Sequence, residues 1–244
     1  MATRNTKFII SAFTLPMGLL FLPLICTADH DSGHLASAVA GWMLLLLAAQ
    51  SLTTVVAGAL CRNVQSCCLA GIISGTAAML AQSAGCAAGL IPPGAILPAA
   101  AVFVGWGMFC AALAAFLCFW NRRAAIPVGV MITTALIFSP VIFTPLFLAL
   151  PSESLHSNAV TEILINISPA IWMINALAAH IHYNWFIWFH APLMYQHVVP
   201  GQNTLMPKLW PWWLLCSAAA LAGILLAAAA GRAYGKCPRH GDET

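Results

Sequence analysis

Histidine is the side chain here best equipped for chemistry, and its placement is uneven. His156, His180, His182, His190 and His197 fall between Pro151 and Lys208 beside Trp172, Trp185 and Trp188, where the fixed charges are Glu153, Glu162 and Lys208 alone. Neutral imidazole is a common metal ligand, so copper, zinc or haem is the chemistry these residues suggest. His180 and His182 are two apart and would point to nearly opposite sides of a helix. His190 and His197 lie about two turns apart, roughly 10 Å along a helix, too far for one ion unless Pro192 breaks the segment. His30 and His34 have a better spacing, with Asp29 and Asp31 nearby, but Gly33 weighs against a regular helix there. His180, His190, His197, His30 and His34 are therefore the candidate ligands. The run Tyr183 to His190 suits interfacial anchoring without any cofactor equally well.

The elements that must position these residues are apolar. Of 244 residues, 61% are hydrophobic and 6% charged, and the mean hydropathy is +0.90; soluble domains carry about 25% charged residues. An all-α integral membrane protein follows. Each span needs roughly 20 apolar residues, so the length admits about six spans and one substantial loop. The expected spans are residues 8–28, 35–60, 69–91, 96–120, 124–150 and 210–230, with an outer helical segment, residues 151–209, between the fifth and sixth. The first run could be a secretory signal peptide cut after Ala28, but its length and its Pro16 and Pro23 favour a retained span.

Arg4, Lys7, Arg62, Arg122, Arg123, Arg232, Lys236 and Arg239 all fall on one side of this scheme, and Lys208 alone on the other. By the positive-inside rule both termini face the cytoplasm and the protein sits in the cell inner (plasma) membrane. Basic residues confined to span ends orient a chain in lipid and give no nucleic-acid footprint. Cys86, Cys110, Cys118 and Cys216 lie in spans as small hydrophobes, while Cys61, Cys67, Cys68 and Cys237 lie near the reducing side, so no disulfide framework is expected.

Within the spans, Gly71, Gly75, Gly85 and Gly89 offer a small-residue surface for close helix packing. Pro127, Pro140 and Pro145 should kink the fifth span. Between residues 160 and 167 the apolar positions follow helical spacing, Pro169 ends that piece, and a second apolar helix runs from Ala170 to about Tyr183. No expected span holds Asp, Glu, Lys, Arg or His in its apolar body, which argues against an ion-coupled carrier or a proton pump. Ser74 in Ile72-Ile73-Ser74-Gly75 has no histidine base in any span, so an intramembrane serine hydrolase is rejected. Gln50, Ser51, Thr53, Thr54, Gln82, Ser83, Thr133 and Thr134 read as interhelical hydrogen-bonding groups.

The stretch Phe119-Trp120-Asn121-Arg122-Arg123-Ala124-Ala125 after an Ala-rich span end, followed later by Ser168-Pro169-Ala170 and Asn175-Ala176-Leu177, resembles the permease subunits of type-2 ABC transporters over the C-terminal half. The resemblance implies an export permease in a homo- or heterodimer, with no cofactor of its own. Nothing in the chain resembles a Walker loop, so a separate ATP-binding subunit would supply the energy. It further implies that Pro140, Pro145 and Pro169 shape an outer gate and that Arg122 and Arg123 lie near the partner surface. As topology anchors the two arginines are explained equally well.

Overall fold

The computed structural model describes residues 32–61, 63–89, 91–142, 163, 166–178 and 210–236. Among the described residues the regular structure is helical, with no strand. Four helices are long and apolar enough to cross a membrane: α1 Ser32–Ala59, α2 Val64–Ala87, α3 Ile96–Trp120, entered through a 3-10 turn Pro93–Ala95, and a last helix, Trp212–Lys236. Between α3 and that helix lie α4 Ala125–Ile137, the short α5 Ser139–Ile142 and α6 Pro169–Ala178; the last helix is α7. The expected span 8–28 lies outside the described residues.

α3 is the hub, packing against α1, α2, α4, α6 and α7. Small residues make this possible. A Cβ on Gly105 would come 2.8 Å from the Cys216 carbonyl oxygen of α7, and one on Gly71 would come 2.6 Å from the Met108 amide nitrogen of α3. In lipid, where apolar side chains gain nothing by leaving one apolar solvent for another, such backbone approach is a main source of helix association. Gly75 and Gly85 likewise face Val104 and Trp42. Gly89 does different work: with φ +75° it ends α2 in the left-handed conformation glycine adopts freely, and its N–H reaches the Cys86 carbonyl at 2.9 Å.

Element ends depart from the hydropathy reading for local reasons. α1 takes in Gly33 and His34, where glycine weighed against a helix. First-turn N–H groups have no partner within a helix in any case, so the end of a helix admits a residue its middle resists. α2 starts at Val64, five residues before the apolar run from Leu69. Asn63 and Ser66 form a reciprocal capping box there, Ser66 N donating to Asn63 Oδ1 at 2.8 Å and Asn63 N to Ser66 Oγ at 3.4 Å, which satisfies otherwise orphaned amides.

The fifth apolar stretch, 124–150, is interrupted. α4 stops at Ile137 and α5 resumes at Ser139. Pro140 has no N–H for the Leu136 carbonyl, and the Ser139 hydroxyl donates to that carbonyl instead, at 3.0 Å. Pro127 does not interrupt its helix. It is the third residue of α4, where a missing N–H breaks no intrahelical bond. Pro145 lies outside the described residues.

Two packed clusters result. Large side chains fill one, with Trp42, Met43, Leu46 and Leu47 of α1 against Phe103 and Trp106 of α3, and Trp172 and Met173 of α6 joining them. Small side chains fill the other, Ala57, Cys61, Cys67, Ala70, Ala111 and Ala115 among them. The second cluster lies toward the Asn121-Arg122-Arg123 turn, the first toward Trp210; these are the arginine end and the tryptophan end below.

Candidate functional site

A seam of neutral polar side chains runs between α1, α2 and α3. Gln50, fully buried, donates through Nε2 to Ser74 Oγ at 2.9 Å and to the Phe103 carbonyl. One residue on, Ser51 accepts from Trp106 Nε1 at 2.7 Å while donating to the Leu47 carbonyl at 2.8 Å. Thr54 and Thr133 return their hydroxyls to carbonyls of their own helices, a common fate for threonine at depth. The expected interhelical role therefore holds for Gln50 and Ser51, with Ser74 as an unexpected partner, while Thr53 and Ser83 also bond carbonyls of their own helices.

Two acceptors in this seam are unspent: the side-chain carbonyl oxygens of Gln50 and Gln82, both buried, have no hydrogen-bond partner. Gln82 makes one weak contact, Nε2 to Met43 Sδ at 3.9 Å. Buried acceptors without donors cost free energy, and each marks a place where a donor would be bound favourably. The seam can thus accept hydrogen bonds and offers no charge.

Over the tryptophan end of the seam sits α6. Pro169 opens it as its first residue, one before the expected start at Ala170, where the fixed φ of proline suits a helix and its absent N–H is harmless. Trp172 lies edge-on to Trp106, ring centroids 6.0 Å apart, and Trp172 Nε1 donates to the Asn166 carbonyl at 2.6 Å. The side chain of Asn166 accepts from the Trp210 amide at 2.8 Å, and Asn175 Nδ2 donates to the Trp210 carbonyl at 2.9 Å. Ser168 Oγ donates to the Ile137 carbonyl at 2.9 Å, a second carbonyl at the α4–α5 break. A continuous set of contacts therefore links Trp210 through Asn166, Trp172 and Trp106 to Ser51 in mid-bundle.

The arginine end is built otherwise. Asn121 ends α3, and its side-chain oxygen accepts from the amides of Arg123 at 3.0 Å and Ala124 at 3.3 Å, a turn in which a short side chain mimics backbone. Arg122 and Arg123 are both exposed there. On the neighbouring turn Cys61 is buried in the small-residue cluster with Cys67. Hydrogen bonding from Cys67, and less so from Ser66, holds the Cys61 thiol below the usual cysteine range, and burial opposes this without reversing it.

Of the candidate metal ligands, His30, His180, His190 and His197 lie outside the described residues, as does the side chain of His34. Among the described residues no cluster of His, Cys, Asp and Glu fit for a metal ion occurs. What sequence reasoning missed was the aromatic line from Trp172 to Trp106. Its signal was present in the tryptophans, but pairing residues 66 positions apart requires the fold.

No known protein family, curated protein or solved structure matches this chain. The geometry of the seam and of the helix over it is therefore what a functional reading has to rest on.

Proposed function

We propose that this chain is the membrane permease subunit of an ABC-type exporter. In this reading it works as a homo- or heterodimer in the inner membrane, with both termini cytoplasmic, and is energised by a separate ATP-binding subunit. The observation that carries the reading is the seat of α6. A proline-led helix following an interrupted apolar stretch is tied to Trp210 at the mouth of α7 and to Trp106 in the bundle, where an outer gate would close a path between the helices.

The neutral seam supports the same reading. Every buried polar side chain among the described residues is Gln, Asn, Ser or Thr, so none of them can bind a coupling ion by charge or relay a proton. Work would then enter from outside the bundle. The exposed Arg122–Arg123 turn is where a partner would push. Movement of α3 would withdraw Trp106 from Trp172 and free α6, with the Pro140 break as the bend.

Purification of the tagged full chain in mild detergent, with identification of co-purifying chains and metal and haem analysis of the same sample, tests this. A stoichiometric nucleotide-binding subunit is the expected result. A solitary chain carrying stoichiometric copper, zinc or haem would overturn it and turn attention to the histidines.

A further inference from the structure

Two thiols meet at the arginine end, where the chain turns from α1 into α2. Cys61 stands between the two helices and Cys67 in the first turn of α2. The path of the chain sets them side by side. Gly58 lets the last turn of α1 lie against the Ala111 backbone of α3, and the amides of Leu60 and Cys61 return to the Ala57 and Gly58 carbonyls at 3.0 and 2.9 Å. The Asn63–Ser66 capping box then starts α2, which brings Cys67 back to Cys61. Both are buried, 4% and 2% exposed, in one small-residue cluster, and their side chains share a hydrogen bond. Cys68 stands apart: the next residue of a helix points about 100° away, and Cys68 is half-buried outside that cluster.

The two sulfurs are not equivalent. Hydrogen bonding from Cys67 holds the Cys61 thiol below the usual cysteine range, so Cys61 supplies the thiolate, and the thiolate is the nucleophile. Cys67 is the thiol beside it. A thiolate with a second thiol poised to resolve it is the arrangement that reacts with peroxide to give a disulfide. Burial selects the oxidant. Leu60, Asn63 and Gln65 flank the pair in the chain and are exposed, so a thin layer covers the sulfurs; hydrogen peroxide is small enough to pass it, and a bulky disulfide such as oxidised glutathione is not. Cys61 lies outside the apolar spans, at the end where a disulfide would be transient and used for sensing.

We propose that Cys61 and Cys67 are a peroxide-reactive pair, Cys61 attacking and Cys67 resolving, whose reversible disulfide ties the end of α1 to the start of α2. The Cys61 thiolate attacks one peroxide oxygen and breaks the O–O bond; its sulfur becomes a sulfenic acid, and the hydroxide released takes up the proton the thiol had shed. Cys67 sulfur then displaces the sulfenic hydroxyl, which leaves as water with the Cys67 proton. Two thiols are thereby oxidised to one disulfide and one peroxide is reduced to two waters. None of this depends on transport. The test exposes the full chain in mild detergent to hydrogen peroxide, with and without dimedone to trap sulfenic acid, and maps every cysteine by peptide mass spectrometry. The expected product is a Cys61–Cys67 link that dithiothreitol reverses, with Cys110, wholly buried in mid-bundle, still a free thiol and so reporting that the chain is folded. Cys67→Ser should raise the dimedone adduct at Cys61 several-fold, Cys61→Ser should leave Cys67 unoxidised, and Cys68→Ala should leave the link unchanged. A link from either cysteine to Cys68, Cys118 or Cys237 would overturn the proposal. So would a folded chain in which both thiols survive peroxide, oxidation of Cys110 as fast as Cys61, or an equal dimedone adduct at Cys61 with and without Cys67.

Discussion

The two ends of the bundle are held together by different means. At the arginine end the nitrogen and oxygen hydrogen bonds are local: Asn63 with Ser66 caps α2 and Asn121 caps the turn into α4, each acting within a few residues, and distant segments are joined there only by weaker sulfur contacts such as Cys118 Sγ to the Ala59 carbonyl at 3.6 Å. Tertiary contact there comes from backbones meeting across alanine, glycine and cysteine. At the tryptophan end, hydrogen bonds join residues 31, 35 and 44 positions apart, and the packing is aromatic. A local cap forms with its helix and survives rearrangement of neighbours; a bond between distant segments lasts only while those segments stay together. The hydrogen bonds of the tryptophan end are thus the ones that a separation of segments would break.

Substitutions at the two ends should separate along this line. The largest effect is expected at the junction: Trp106→Ala should cost about 3–5 kcal/mol, the usual range for emptying a buried aromatic site, and should be seen in detergent unfolding curves. Asn166→Ala removes the acceptor for the Trp210 amide and should cost about 1–3 kcal/mol. Its particular mark is faster hydrogen exchange at Trp210, at a distance in sequence. By contrast Asn63→Ala should cost about 1 kcal/mol and quicken exchange only in the first turn of α2. If Asn63→Ala loosened Trp210, or Asn166→Ala loosened α2, the contrast between the ends would fail.

The smallest effect is chemical. Cys67 lowers the Cys61 thiol by hydrogen bonding, and a lowered pKa places thiolate at lower pH. Cys67→Ala should therefore move the pH profile of Cys61 alkylation upward, measured with Cys68 replaced by alanine. An unmoved profile would remove the contact from the account.

Hydropathy made the long helices legible. α3 begins and ends at the expected residues, α1 and α2 differ at their starts, where Ser32, Gly33, Gln65 and Ser66 are polar but helical, and α2 also ends at Ala87, four residues before the expected end. A hydropathy window sees transfer free energy and is blind to caps, so it trims such turns. The Pro140 break was legible in kind because proline removes a hydrogen bond wherever it stands. That Ser139 serves the freed Leu136 carbonyl and Ser168 the adjacent Ile137 carbonyl was not, since Ser168 arrives from another segment. Trp210, Trp212 and Trp213 stand together in the sequence, yet Trp213 is exposed while Trp210 and Trp212 pack against the core. Pattern alone does not separate a lipid anchor from a packed ring.

The central claim is that α6 is seated on the bundle through Trp172 and Trp106, and a double-mutant cycle tests it most directly. Trp106→Leu, Trp172→Leu and the pair together are compared by unfolding in detergent. A coupling of about 0.5–1.5 kcal/mol, the range for edge-on aromatic pairs, is the predicted result. Strict additivity, as for residues that do not meet, would contradict it and leave the proposed gate without the contact it rests on.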